Sequence, residues 1–130
     1  MKKLFLTFAA SCVVLVSAVL AESSKFADIS LPDLKAAIAS GKVAIIDVNG
    51  SDSYRDGHIP GAIDFDANSA KLASLLPANK SALVVAYCGN PHCSAYREGA
   101  EAAEKLGYTN VKHFAPGIQG WKKSGEVTEK

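Results

Sequence analysis

Residues 82–107 read ALVVAYCGNPHCSAYREGAEAAEKLG, and this stretch decides the fold. Ala82 to Tyr87 is a short, nearly continuous apolar run rich in valine, the pattern of a strand buried on both faces. Gly89, Asn90 and Pro91 break that pattern, so Cys88 to Cys93 forms a loop. Ser94 is the expected N-cap of an Ala- and Glu-rich helix that stops at Gly107. The inner face of that helix is expected to carry Tyr96, Ala100, Ala103 and Leu106.

The same alternation extends in both directions. Upstream, Ser30 caps a helix with Pro32 in its first turn, Leu34, Ala37 and Ile38 at helical spacing, and Gly41 as its stop. Val43 to Asp47 is a second buried strand. Ser51 to Gly57 is one polar helical turn, His58-Ile59-Pro60-Gly61 a turn, Ala62 to Phe65 a short strand, and Asn68 to Leu76 a helical stretch that ends at Pro77. Downstream, Val111 to Phe114 is a last strand, Ala115 to Gly120 a loop, and Trp121 starts a terminal helix. Strands alternating with helices imply parallel strands joined by right-handed crossovers. The expected architecture is one α/β domain around a central parallel sheet of four or five strands.

Composition agrees with one ordinary domain. The 130 residues carry 14 basic and 13 acidic side chains, net +1, with neither a basic field for nucleic acid nor an acidic tail. Met1-Lys2-Lys3 followed by an uncharged apolar run to Ala21 is the pattern of a secretory signal peptide, with cleavage expected after Ala21. An uncleaved membrane anchor and a lipid attached at Cys12 are the alternatives. Residues 22–130 then form the domain, with twelve basic and thirteen acidic residues, net −1, and no membrane association after cleavage. The lysine-rich signal points to a bacterial periplasm or to secretion, where disulfides can form. Three cysteines are too few for a disulfide scaffold. Loss of Cys12 leaves Cys88 and Cys93 at the two ends of one loop.

Ligands of open parallel sheets bind beyond the carboxyl ends of the strands. There, Cys88 stands between a buried strand and a helix N-terminus, whose partial positive charge favours an anion. A thiol in that position has a lowered pKa, and the amides of residues 89–94 are placed to ring a thiolate or persulfide anion. A buried structural cysteine is the competing reading.

At this point the chain resembles a single-domain rhodanese, a sulfurtransferase. The resemblance rests on Ile45-Ile46-Asp47-Val48, on Tyr54 through Gly57-His58-Ile59-Pro60-Gly61-Ala62-Ile63, on Val84-Val85-Ala86-Tyr87-Cys88, and on Gly107-Tyr108-Thr109-Asn110-Val111 with Gly117-Ile118-Gln119-Gly120-Trp121. It implies a doubly wound α/β sheet with helices on both faces. It also implies that Cys88 accepts sulfane sulfur from thiosulfate, a polysulfide or a persulfide, and passes it to a thiol or to cyanide. Gly89, Asn90, Pro91, His92, Cys93 and Ser94 would form the substrate loop, with no metal or organic cofactor.

Three positions depart from the family pattern. Cys93 stands where arginine is usual, Asn49 stands where arginine is frequent, and Pro116 replaces the first glycine of a common pair. The related phosphatases need a longer loop closed by arginine, and position 94 is serine. With two cations gone, a polysulfide or persulfide donor becomes more plausible than thiosulfate. Cys93 is either a resolving or modulating thiol for Cys88 or a small residue at the helix start. His92 is either an anion donor or a solvated loop residue. His58 is expected to be architectural, His113 ordinary, and Asp47 to bond a nearby loop amide. Trp121 is expected to pack its helix, and Ser94 to lend its N–H to the anion site. Cys88, Cys93 and His92 fall short of the four ligands of a structural zinc. Two rival functions remain: a dithiol–disulfide redox protein using Cys88 and Cys93, and a catalytically silent binding module.

Overall fold

Five short parallel strands meet edge to edge in the order β1-β5-β4-β2-β3. The computed structural model describes residues 25–130. The signal peptide expected at residues 1–21 lies outside the described residues. The strands are β1 (Ala27–Asp28), β2 (Ala44–Asp47), β3 (Ile63–Asp64), β4 (Leu83–Tyr87) and β5 (Asn110–His113). Register places Asp47 beside Tyr87 and His113 beside Ala86, so β2, β4 and β5 end on a common edge.

The alternation of β4 divides the core. Val84, Ala86 and Cys88 face one side, with Tyr96, Ala100 and Ala103 of α5 (Tyr96–Lys105) and with Leu72 and Leu76. Val85 and Tyr87 face the other, with Leu34 of α1 (Leu31–Ala39) and with Trp121 of α6 (Gly117–Lys123). Helices therefore cover both faces, as in a doubly wound sheet. Gly99 of α5 allows close packing, because a Cβ there would come within 2.8 Å of Ile46 and 2.9 Å of Val48. Leu106, expected on this inner face, is only half-buried and follows the last helical residue.

Several boundaries differ from expectation for identifiable reasons. β1 was not expected, since its two exposed residues carry no hydrophobic alternation. The 62–76 stretch holds a shorter β3, then α3 (Phe65–Asn68), a 3-10 turn and α4 (Leu72–Leu75). The Asp64 side chain caps α3 by accepting from the Ala67 amide at 3.4 Å. α2 (Ser51–Asp56) and the Ser30 cap of α1 are as expected, the latter accepting from the Asp33 amide at 3.2 Å. Trp121 does not start the terminal helix. α6 begins at Gly117, directly after Pro116, and Trp121 sits inside it with its indole N–H donating to the Val127 carbonyl at 2.7 Å.

Candidate active site

The polypeptide leaves the sheet at Cys88, which is 1% exposed at the foot of the loop. The Asn90 side chain and carbonyl fold that loop back on itself. Asn90 Oδ1 accepts from the His92 amide at 2.9 Å, and the Asn90 carbonyl accepts from the Cys93 amide at 3.2 Å. The turn returns Cys93 to Cys88, and the two form a disulfide with Cα atoms 6.3 Å apart, within the range such a bond requires. Cys88 Sγ also lies 3.2 Å from the Cys93 carbonyl oxygen. Cys93 is half-buried, whereas Pro91, His92 and Ser94 are exposed.

Ser94 does not cap the helix. α5 starts two residues later, at Tyr96, after a turn in which the Ser94 carbonyl accepts from the Arg97 amide at 3.1 Å, and no side chain caps it. The ring of amides expected around the sulfur is also incomplete. Those of His92 and Cys93 are spent on Asn90, while those of Gly89, Asn90 and Ser94 donate to nothing among the described residues.

The start of α6 clamps this loop, a contact that was expected of no residue. The Ile118 amide donates to the Cys88 carbonyl at 2.9 Å and the Gln119 amide to the Gly89 carbonyl at 3.0 Å. The first turn of α6 thus holds the backbone of the cysteine loop. Gly117 makes the approach possible, with φ +65° and room for no Cβ, which would fall 2.5 Å from the Cys88 carbonyl oxygen. The available signal was Pro116-Gly117 ahead of an apolar-periodic segment, a turn pair at a helix start.

Two neutral amides flank Gly89. A Cβ there would lie 3.7 Å from Asn49 Oδ1 and 3.8 Å from Gln119 Nε2. Asn49 Nδ2 is buried without a hydrogen-bond partner among the described residues. Beside them runs a groove of about 300 Å³ lined by Asn90, Pro91, Pro116, Gln119, Gly120 and Lys123. Lys123 is thus a cation beside the loop where the sequence pattern had led to none.

The floor of the site is a buried polar bridge. Tyr87, fully buried, donates its hydroxyl to Asp47 Oδ2 at 2.5 Å and accepts from the Ile59 amide at 3.1 Å. Asp47 Oδ1 accepts from the Asn49 amide at 2.8 Å, as expected for Asp47. Burial pushes the Asp47 carboxyl above its ordinary value, against the lowering effect of the Tyr87 and Asn49 hydrogen bonds. Burial likewise raises the Tyr87 phenol, with the Asp47 charge adding to it. The bridge ties the 58–61 turn to the ends of β2 and β4.

Tyr87→Phe is expected to destabilise the fold by about 3 kcal/mol, because a buried carboxylate loses a donor and the Ile59 amide an acceptor. The loss depends on pH. Asp47 is held protonated above its ordinary value, so its contribution to stability is present in acid and fades as pH rises through the folded value. The mutation raises that value further, so the gap between mutant and wild type should be wider at neutral pH than in mild acid. Urea midpoints at the two pH values check this.

His58 and His113 are packed into the fold. His58 is buried, stacks on Tyr54 with ring centroids 3.6 Å apart, and exchanges backbone hydrogen bonds with Glu129. His113 is more than the ordinary residue expected: it is buried, stacked on Tyr96 at 3.4 Å, and its Nδ1 lies 3.4 Å from Asp28 Oδ1. Burial lowers its pKa, outweighing the raising effect of Asp28.

The sequence profile of the Rhodanese-like domain matches residues 30–124. A thiosulfate:glutathione sulfurtransferase from Homo sapiens is 27% identical over 106 residues, covering 72% of this chain and 90% of that protein. An HTH-type transcriptional regulator from Mycobacterium tuberculosis is 31% identical over 87 residues; the match covers 66% of this chain and only 37% of the regulator's length. Among solved structures, a human single-domain sulfurtransferase matches with a TM-score of 0.60 at 22% identity, over 74% of this chain and 95% of that one.

Proposed function

The chain belongs to the rhodanese-like domain family, and from that membership we propose that it is a sulfurtransferase whose Cys88 carries sulfane sulfur as a persulfide. The observation that carries the reading is the position of Cys88. It stands at the carboxyl end of the central strand β4, under a loop that α6 clamps and whose Asn90 and Pro91 line a groove.

In the reduced protein the Cys88 thiolate attacks the outer sulfur of a donor R–S–S⁻ or a polysulfide. The S–S bond of the donor breaks, R–S⁻ leaves with the electron pair, and Cys88–S–S⁻ remains. An acceptor thiolate or cyanide then attacks the terminal sulfur and releases the Cys88 thiolate. The free amides of Gly89, Asn90 and Ser94, with the Asn49 and Gln119 side chains beside Gly89, are the neutral donors around the loop. Pro91 and His92 shape the exposed side of the loop. No step calls on a metal or an organic cofactor.

These donors are neutral, and Lys123 supplies a single flexible charge at the groove. A doubly charged oxyanion such as thiosulfate is bound best by a bidentate guanidinium. The chain is therefore expected to use a small-molecule persulfide, which carries one charge and no oxyanion, at least about ten times more efficiently than thiosulfate, since charged hydrogen bonds are worth roughly twice neutral ones. A donor screen that compares kcat/KM under reducing conditions tests both reaction and preference. Failure to transfer sulfur from any sulfane donor would sink the proposal and leave a silent binding module. Equal use of thiosulfate would sink the preference.

The Cys88–Cys93 disulfide favours a second reading, a dithiol–disulfide redox protein. That reading expects the pair to exchange with protein dithiols while never holding an extra sulfur. Export through residues 1–21 to the periplasm or beyond belongs to the same proposal, and a disulfide of this kind is at home in an oxidising compartment.

A further inference from the structure

Resting on the reading of Cys88 as a persulfide carrier, we infer that Cys93 is its resolving thiol, so that the chain reduces sulfane sulfur to sulfide by itself. A persulfide offers two sulfurs to a nucleophile. Attack on the terminal sulfur only passes it on. Attack on the inner sulfur, Cys88 Sγ, expels it as hydrosulfide. Cys88 is 1% exposed, so an outside thiol reaches the terminal sulfur far more readily than the buried inner one.

Cys93 does reach the inner sulfur, since the structure bonds the two. The Asn90 turn brings it there, through hydrogen bonds of 2.9 Å from the His92 amide and 3.2 Å from the Cys93 amide. The disulfide is the product that inner-sulfur attack leaves behind. Cys93 also occupies the position where the family pattern has arginine, so a cation that would hold the anion in place is replaced by a group that discharges it.

The step balances as Cys88–S–SH + Cys93–SH → Cys88–S–S–Cys93 + H₂S. The Cys88–sulfane bond breaks, the Cys88–Cys93 bond forms, and the leaving sulfur takes the two protons. The sulfane sulfur gains two electrons, one from each cysteine. A dithiol from outside, small or protein-borne, resets the pair by thiol–disulfide exchange and leaves as its own disulfide. The substrate class is persulfides and polysulfides, the product is sulfide, and the reducing equivalents come from a dithiol rather than a monothiol acceptor.

The test is a single turnover without oxygen. Reduced protein is freed of reductant, pulsed with inorganic polysulfide, freed of excess donor and held in thiol-free buffer. Wild-type protein is expected to end as the Cys88–Cys93 disulfide, having released one sulfide per chain. Cys93→Ser, with Cys93→Ala as a second variant, is expected to hold the added sulfur, about 32 Da on Cys88. Wild type that retains the extra sulfur as the variants do, or carries it on Cys93, overturns the inference and leaves the carrier role standing. If neither variant nor wild type takes up sulfur, the carrier reading falls and the inference falls with it.

Discussion

Cys88→Ser is expected to abolish sulfur transfer, lowering it by ~10³-fold or more, as loss of a covalent nucleophile does. A thiolate attacks divalent sulfur readily; a serine hydroxyl at neutral pH does not. The neighbouring Cys93 cannot substitute. It follows the Asn90 turn rather than ending β4, and the α6 amides bond the Cys88 and Gly89 carbonyls, not its own. The serine is nearly isosteric and sits at a strand end, so folding should be intact and the Cys88→Ser urea midpoint close to that of reduced wild-type protein. Rates of thiocyanate formation from cyanide and of sulfide formation with a dithiol should both fall to background. Retention of a tenth of either rate would remove Cys88 from the chemistry.

Oxidised protein is expected to be inert until a dithiol opens the Cys88–Cys93 bond, and this is the second large effect. With Cys88 Sγ bonded to Cys93, no thiolate exists to attack a donor. Activity assayed without reductant should be within background, and brief treatment with dithiothreitol should restore it in full. Cys93→Ser should need no such treatment, since it cannot form the bond. Reduction should also cost the fold about 2 kcal/mol, the loop-closure entropy of a short loop, read as a lower urea midpoint. Full activity in rigorously oxidised protein would contradict this account.

Much of this molecule is legible in its sequence, and the failures share a cause. β4 and β2 were readable because both faces of each are buried, which leaves an unbroken apolar run. α1 was readable because Ser30, Pro32 and Gly41 punctuate it. β1 was not, because an edge strand of two exposed residues has no pattern to read. Pro116-Gly117 read as a loop rather than as the start of α6, because the contact that fixes it is tertiary: the α6 amides bond the Cys88 and Gly89 carbonyls.

The site divides the same way. Cys88 and Cys93 stood out through residue type and spacing. Ser94 had the residue type of a helix cap, but the Asn90 turn uses up the chain before the helix begins. Gln119 was legible only as part of the Gly117–Trp121 segment, with no role of its own. Only the fold brings its amide and that of Asn49 against Gly89.

The carrier role of Cys88 is tested most directly by peptide mass mapping. Cys93→Ser protein is reduced, exposed to inorganic polysulfide, freed of excess donor and digested. An addition of about 32 Da is expected on the peptide that contains Cys88, with its quantitative removal by cyanide as thiocyanate. A fully reduced Cys88 that stays unmodified while polysulfide is in excess would contradict the carrier role.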